Sequence, residues 1–168
     1  DATSLGLKGA TGVTSLTSER VAKTDFSAAG ASIAAADVKI NGFNGFSVDY
    51  ATDVSGATTN TALGYATAIN LNTGVHGAEA NAFNTLTSAA MGTFNMTATF
   101  TINSETVALA SSYSELTDNI NEAVSGIEAK LNSDNTITLS NTTGDDIIIA
   151  SNSAAVGFTA GTYTGFVE

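Results

Sequence analysis

The spacing of apolar residues changes twice between Thr97 and Ile149, and this double change limits the fold more than any other feature of the chain. From Thr97 to Ile102, Ala98, Phe100 and Ile102 alternate with Thr97, Thr99 and Thr101, which predicts a half-buried strand with threonine on its wet face. Asn103-Ser104 predicts a turn, and Val107 and Leu109 carry the alternation back in a second strand. The interval then lengthens. Leu116, Ile120 and Val124 recur every fourth residue, a helical stripe that must be buried against a sheet. Ser112 and Glu115 form an S-x-x-E capping box at the helix start, and Gly126 supplies the left-handed residue favoured at its end. Alternation resumes in Ile127, Ala129 and Leu131, turns through Asn132-Ser133-Asp134-Asn135, and returns through Ile137 and Leu139. Beyond Asn141-Thr142-Thr143-Gly144, Ile147-Ile148-Ile149 predicts one more strand. The order is β-β-α-β-β-β, a small α+β unit.

The first half reads as a looser copy. Val38-Lys39-Ile40 leads into Asn41-Gly42, Asn44-Gly45 follows, and Asn-Gly is a strong hairpin-turn signal. Phe46, Val48 and Tyr50 alternate as a strand. Leu63, Tyr65, Ala66 and Ile69 predict a short helix ending near Gly74, with strand resuming at Val75. The copies align through Ile40-Asn41 with Ile102-Asn103, Ile69-Asn70 with Ile120-Asn121, and Gly74-Val75 with Gly126-Ile127, an internal repeat of one supersecondary unit. The expected fold is therefore α+β and β-rich. It has two small units, each a β-hairpin, one short helix and further antiparallel strands (ββαββ-like). Residues 37–90 form the first unit and 91–168 the second, with 1–36 a connecting arm or extra strands. Residues 91–152 are expected to fold alone.

Composition narrows function by exclusion. Among 168 residues only Lys8, Arg20, Lys23, Lys39 and Lys130 are cationic, against a net charge of −11. They are scattered, whereas nucleic-acid binding needs clustered cations, so no nucleic-acid partner is expected. The chain has no Cys, which removes disulfides, zinc-thiolate sites and cysteine nucleophiles. It also has no Pro, so folding avoids slow prolyl isomerisation, which suits a protein that folds after delivery. A mean hydropathy of +0.16 with few charges argues for a folded chain. No apolar run nears the roughly 20 residues that span a bilayer, and no signal peptide is visible. A start at Asp1 without Met reads as an internal piece of something longer.

Candidate chemistry is sparse. His76 is the only histidine, and with Glu79 it makes one imidazole and one carboxylate, too few for a metal site. It is expected on the surface or in a strand. Asp145-Asp146 with Asp134 offer oxygens to calcium, but without EF-hand spacing they read as solvated turn acids. No G-x-S-x-G elbow or H-E-x-x-H motif is present, and there is no Trp platform for sugars. No catalytic, cofactor-binding or metal-binding residue is assigned, and no enzymatic activity is expected.

Three groups of residues carry a family resemblance. Phe100-Thr101-Ile102-Asn103-Ser104-Glu105-Thr106-Val107-Ala108-Leu109, the capped helix bearing Ile120-Asn121, and Gly126-Ile127-Glu128-Ala129 together resemble the flagellin insertion motif. Its close is matched by Thr136-Ile137-Thr138-Leu139-Ser140 and Thr142-Thr143-Gly144-Asp145-Asp146-Ile147. The first copy matches through Ile40-Asn41-Gly42, Ala68-Ile69-Asn70 and Asn72-Thr73-Gly74-Val75. The resemblance implies the variable outer domains of a bacterial flagellin, extracellular on the flagellar filament. Its implied partners are other flagellin subunits and O-linked glycans, and the isolated piece is expected to be a monomer. The same motif occurs in hook-associated and filament-cap proteins. The alternative is an adhesive or glycan-binding module of a bacterial surface protein.

Overall fold

The computed structural model describes residues 20–22, 33–53, 61–90, 92–150 and 153–168. The arm or extra strands expected over residues 1–36 therefore lie largely outside the described residues, apart from Val21–Ala22, which form strand β1. The first helical unit follows: a hairpin of β2 (Lys39–Ile40) and β3 (Phe43–Asn44), helical turn α1 (Tyr50–Asp53), helix α2 (Ala62–Asn70), helical turn α3 (Thr73–His76) and strand β4 (Ala82–Thr87). The second also runs from hairpin through helix to strand, but with a single helix in place of the three helical segments and with more strands after it. It has β5 (Phe100–Ile102), β6 (Glu105–Val107), α4 (Tyr113–Ala123), β7 (Glu128–Leu131), β8 (Ile137–Asn141) and β9 (Ile147–Ile149). A 3-10 turn at Ser153–Val156 leads to β10 (Gly161–Tyr163) and β11 (Phe166–Val167). The fold is mixed α+β and strand-rich, as expected.

The strands pair antiparallel in a five-stranded sheet ordered β1-β11-β4-β8-β7, a four-stranded sheet ordered β10-β9-β5-β6, and the β2-β3 hairpin. The period-two residues of the second unit point where the alternation requires. Ile102, Val107, Ile137, Leu139 and Ile147 are fully buried, and the helical stripe Leu116, Ile120 and Val124 closes over them. This core draws in Val156 and Phe158, each 1% exposed. A piece ending at residue 152 would therefore lack two of its largest buried side chains. The first core is smaller and built from alanine and aromatic rings. Phe46 meets Tyr65 edge-on at 5.4 Å and lies 5.9 Å from Tyr50, packed with Ala62, Ala66, Ala68 and Ile69. Val167, from the last strand, belongs to this first core, where β11 pairs with β4 beneath α2.

Four local expectations give way to the structure. Phe46 to Tyr50 is not a strand. The Asp53 carboxylate accepts from the N–H groups of Ser47 and Val48 at 2.8 and 3.1 Å. The chain curls into α1, burying Phe46 and Tyr50 and leaving Val48 57% exposed. Val75 does not restart a strand either, since it lies in the helical turn α3, which Gly77 closes at φ 74°. At the second hairpin the strand begins at Phe100 and not Thr97, and Leu109 is exposed. The Asn119 side chain binds the Leu109 carbonyl at 3.2 Å, directing the chain from the sheet toward α4. Finally, α4 ends at Ala123 with Val124 extended, and Gly126 takes its left-handed φ of 77° in the turn beyond.

Candidate functional surface

The two units are built on the same polar fixtures. In each hairpin an Asn enters a two-residue turn at positive φ: Asn41 at 53° followed by Gly42 at 85°, and Asn103 at 51° followed by Ser104 at 72°. Positive φ at both positions defines the turn that matches strand twist, and Asn tolerates it better than most residues. In each unit the helix is capped by a hydroxyl. Thr61 Oγ1 accepts from Gly64 N–H at 2.9 Å, and Ser112 Oγ accepts from Glu115 N–H at 3.2 Å. The Glu115 carboxylate does not complete the expected box on Ser112. It accepts instead from the N–H and hydroxyl of Ser111 at 2.8 and 2.6 Å, which holds its pKa below the usual carboxylate value.

The closest correspondence is an amide clamp. Asn70 Nδ2 donates to the Ala80 carbonyl and its Oδ1 accepts from the Ala80 N–H, both at 2.8 Å. Asn121 does the same with Ala129, at 2.9 and 2.7 Å. A carboxamide offers one donor and one acceptor side by side, so it pairs with both main-chain groups of one residue as a neighbouring strand would. Each clamp fastens the end of its helix to the chain that follows. The sequence marked Ile69-Asn70 and Ile120-Asn121 as equivalent, but their partners could not be read from spacing, because the intervening segments differ in length.

Where the units meet, the polar contacts are dense. Asn84 on β4 faces Asn141 on β8. Asn84 Nδ2 donates to the carbonyls of Asp145 and Tyr163 at 2.9 and 2.7 Å, and Asn141 Nδ2 donates to the Asp145 carbonyl at 2.9 Å. Asn141 Oδ1 takes the Gly144 N–H at 2.8 Å, whereas the buried Oδ1 of Asn84 has no hydrogen-bond partner among the described residues. The two crossing loops touch so closely that a Cβ on Gly165 would lie 2.0 Å from the Gly144 carbonyl oxygen. On the outer side of the sheet, the Arg20 guanidinium sits 5.1 Å from the ring of Phe83 and 5.9 Å from that of Phe166, which stack on each other. Arg20 thereby fastens β1 over β11 and β4.

The titratable candidates take structural positions. His76 is neither on the surface nor in a strand. It is 3% exposed, its Nε2 donates to the Ile69 carbonyl at 3.1 Å, and its Nδ1 accepts from the Ala78 N–H at 3.1 Å. Both ring nitrogens are thus committed to backbone, and Glu79 is exposed beside them. Asp134 Oδ1 accepts from the Thr136 hydroxyl and N–H at 2.7 and 3.1 Å, which lowers its pKa. Asp145 binds the Thr143 hydroxyl through its carboxylate. Among the described residues no three His, Cys, Asp or Glu side chains converge as a metal site would need. Burial, and then the neighbouring Tyr50, raise the Tyr65 pKa, so that phenol serves the aromatic core as a neutral group.

One open groove of about 410 Å³ runs between the β2-β3 hairpin and α3, lined by Gly42, Phe43, Asn44, Phe46, Ser47, Asn72 and Val75. Asn72 Nδ2 donates to the Asn44 carbonyl at 2.7 Å and Asn41 Nδ2 to the His76 carbonyl at 2.8 Å, holding its two walls together. Phe43 and Val75 stand exposed on its rim. Among the described residues its lining is apolar, amide and hydroxyl, which offers apolar contact and hydrogen bonds. The described helices are all too short or too polar to cross a membrane. The chain matches no protein-family model, no curated protein and no solved structure.

Proposed function

We propose that this chain is the surface-exposed outer region of a bacterial flagellin, a non-enzymatic structural module of the flagellar filament located outside the cell. The observation that carries the reading is the duplicated amide clamp, Asn70 on Ala80 and Asn121 on Ala129. These are the Ile-Asn positions at which both halves resemble the flagellin insertion motif, and the clamp gives that dipeptide a physical reason to recur. A second feature agrees with the reading. Strands β1 and β11 are antiparallel neighbours, Val21 opposite Val167, so the chain enters and leaves the described fold side by side. That is the geometry by which a module can be carried as an insertion within a longer polypeptide.

On this reading the module occupies the outside of a helical polymer and presents an acidic, Thr- and Asn-rich surface. Contacts between neighbouring copies are individually weak and act through repetition. Its partners are other flagellin subunits, with O-linked glycans on exposed hydroxyls. The groove floored by Phe46 favours a second reading, an adhesive module that takes up an apolar or glycan ligand. Immunogold electron microscopy of the source cells, using antibody raised against this chain, separates the two. Gold along whole filaments supports the flagellin reading. Gold restricted to the tip or hook junction would assign the module to a cap or hook-associated protein, and gold on the cell body would replace the proposal with the adhesin.

A further inference from the structure

We infer that Asn41 is a site of spontaneous, self-catalysed deamidation, and that the fold directs this chemistry to one of its two Asn-Gly pairs. Asn-Gly occurs at Asn41-Gly42 and Asn44-Gly45. The reaction needs the backbone nitrogen of the following residue to reach the asparagine Cγ, and glycine permits this because no side chain blocks the approach. At Asn41 the attacking nitrogen is unencumbered, and only the side-chain bond to the His76 carbonyl has to be released. Gly42 is exposed, and among the described residues nothing lies within 4 Å of where a Cβ would stand and nothing accepts its N–H. At Asn44 the nitrogen is encumbered. The Gly45 N–H donates to the Val38 carbonyl at 2.8 Å, and the residue is buried with Val38 only 2.9 Å from its missing Cβ. The attacking nitrogen there must first break a hydrogen bond and then turn within a tight space.

In the step at Asn41, the Gly42 nitrogen bonds to Cγ and gives up its proton. The Cγ–Nδ2 bond breaks, and Nδ2 leaves as ammonia, closing a five-membered succinimide. Water then opens either imide C–N bond, leaving aspartate or isoaspartate. The change is local but consequential. Asn41 Nδ2 is the donor that holds the hairpin to the His76 carbonyl at 2.8 Å, and a carboxylate has no N–H to offer there. Conversion sets two oxygen acceptors against each other and removes one of the two hydrogen bonds that hold the β2-β3 hairpin against α3, leaving that of Asn72 to the Asn44 carbonyl. It also adds a negative charge beside the groove. Asn41-Gly42 is therefore an irreversible marker of the age of the folded chain, placed in the first unit.

The repeat supplies the control. Asn103-Ser104 adopts the same turn, but Ser104 carries a side chain, and Asn103 Oδ1 is engaged by the Ile148 N–H at 2.8 Å. The folded chain is incubated at mildly alkaline pH and followed by intact-mass and fragmentation mass spectrometry. The expected result is conversion at Asn41 while the amides of Asn44 and Asn103 persist. Gly42→Ser, which copies the second turn into open space, should slow conversion at Asn41 several-fold with the circular dichroism spectrum retained. Conversion at Asn44 or Asn103 ahead of Asn41 would overturn the inference. So would an Asn41 that stays intact while an unfolded peptide of the same sequence converts, or a Gly42→Ser variant that converts at the unchanged rate.

Discussion

Replacing Asn121 by Ala removes the clamp on Ala129 and tests whether the recurring Ile-Asn dipeptide is a structural fixture. Two neutral hydrogen bonds are lost, at 2.9 and 2.7 Å. At about 1 kcal/mol each, their loss costs about 2 kcal/mol. Asn121 lies within α4, where alanine is the better helix former by up to about 0.7 kcal/mol, so the net cost is about 1.3 kcal/mol. Ala129 is buried, and its N–H and carbonyl find only partial replacement from water, so the figure lies toward the low side. With a urea dependence of about 2 kcal/mol per molar, the unfolding midpoint should fall by about 0.6 M. Chemical denaturation followed by circular dichroism measures this directly. Glu122→Ala, exposed on the next position of the same helix, serves as the control and should change stability by less than about 0.5 kcal/mol. An Asn121→Ala midpoint equal to that of the control would refute the reasoning, because the clamp would then contribute nothing that water does not.

Three other outcomes follow from the same geometry. Gly165→Ala places a Cβ against the Gly144 carbonyl, a backbone group with no rotamer to escape into, so it should cost about 3 kcal/mol or more, measured as the loss of thermal midpoint. Removing residues 166–168 takes Val167 out of the first core and leaves β10 in place, and amide hydrogen exchange should accelerate throughout α2 while α4 and β8 keep their protection. The Glu115 pKa is depressed in the fold by its hydrogen bonds to Ser111, so its contribution to stability is fully present above the ordinary glutamate value. It is lost as pH falls through the depressed one. Urea midpoints of wild type and Glu115→Gln should accordingly differ by a constant amount near neutrality and converge in acid. A difference that persists unchanged at low pH would show that the carboxylate charge is not the cause.

The second unit was legible because its buried positions are large, β-branched or leucine, and their spacing reports the backbone directly. Ile102, Val107, Leu116, Ile120, Ile137, Leu139 and Ile147 all fall where periodicity places them. The first unit was less legible for a physical reason. Its core uses alanine and tyrosine, residues that sequence patterns score as indifferent, and Phe46 and Tyr50 reach one buried cluster across a bend that leads into the helical turn α1, although their spacing also fits a strand. The deciding interaction there, Asp53 on the N–H groups of Ser47 and Val48, has no periodic trace. His76 shows the same limit. Its burial depends on the carbonyl of Ile69, seven residues earlier, and on the N–H of Ala78, which lies just past the left-handed turn at Gly77. The contribution of β11 to the first core and the Asn84–Asn141 contact join residues far apart in sequence, and no local signal encodes them.

The central claim is that this module is displayed on the outside of a flagellar filament. Cryo-electron microscopy of filaments from the source cells, with helical averaging, tests it most directly. The account expects an outward density at every subunit that accommodates two small cores, attached to the filament through the neighbouring strands β1 and β11. Filaments whose outer density at every subunit cannot hold this fold would contradict it.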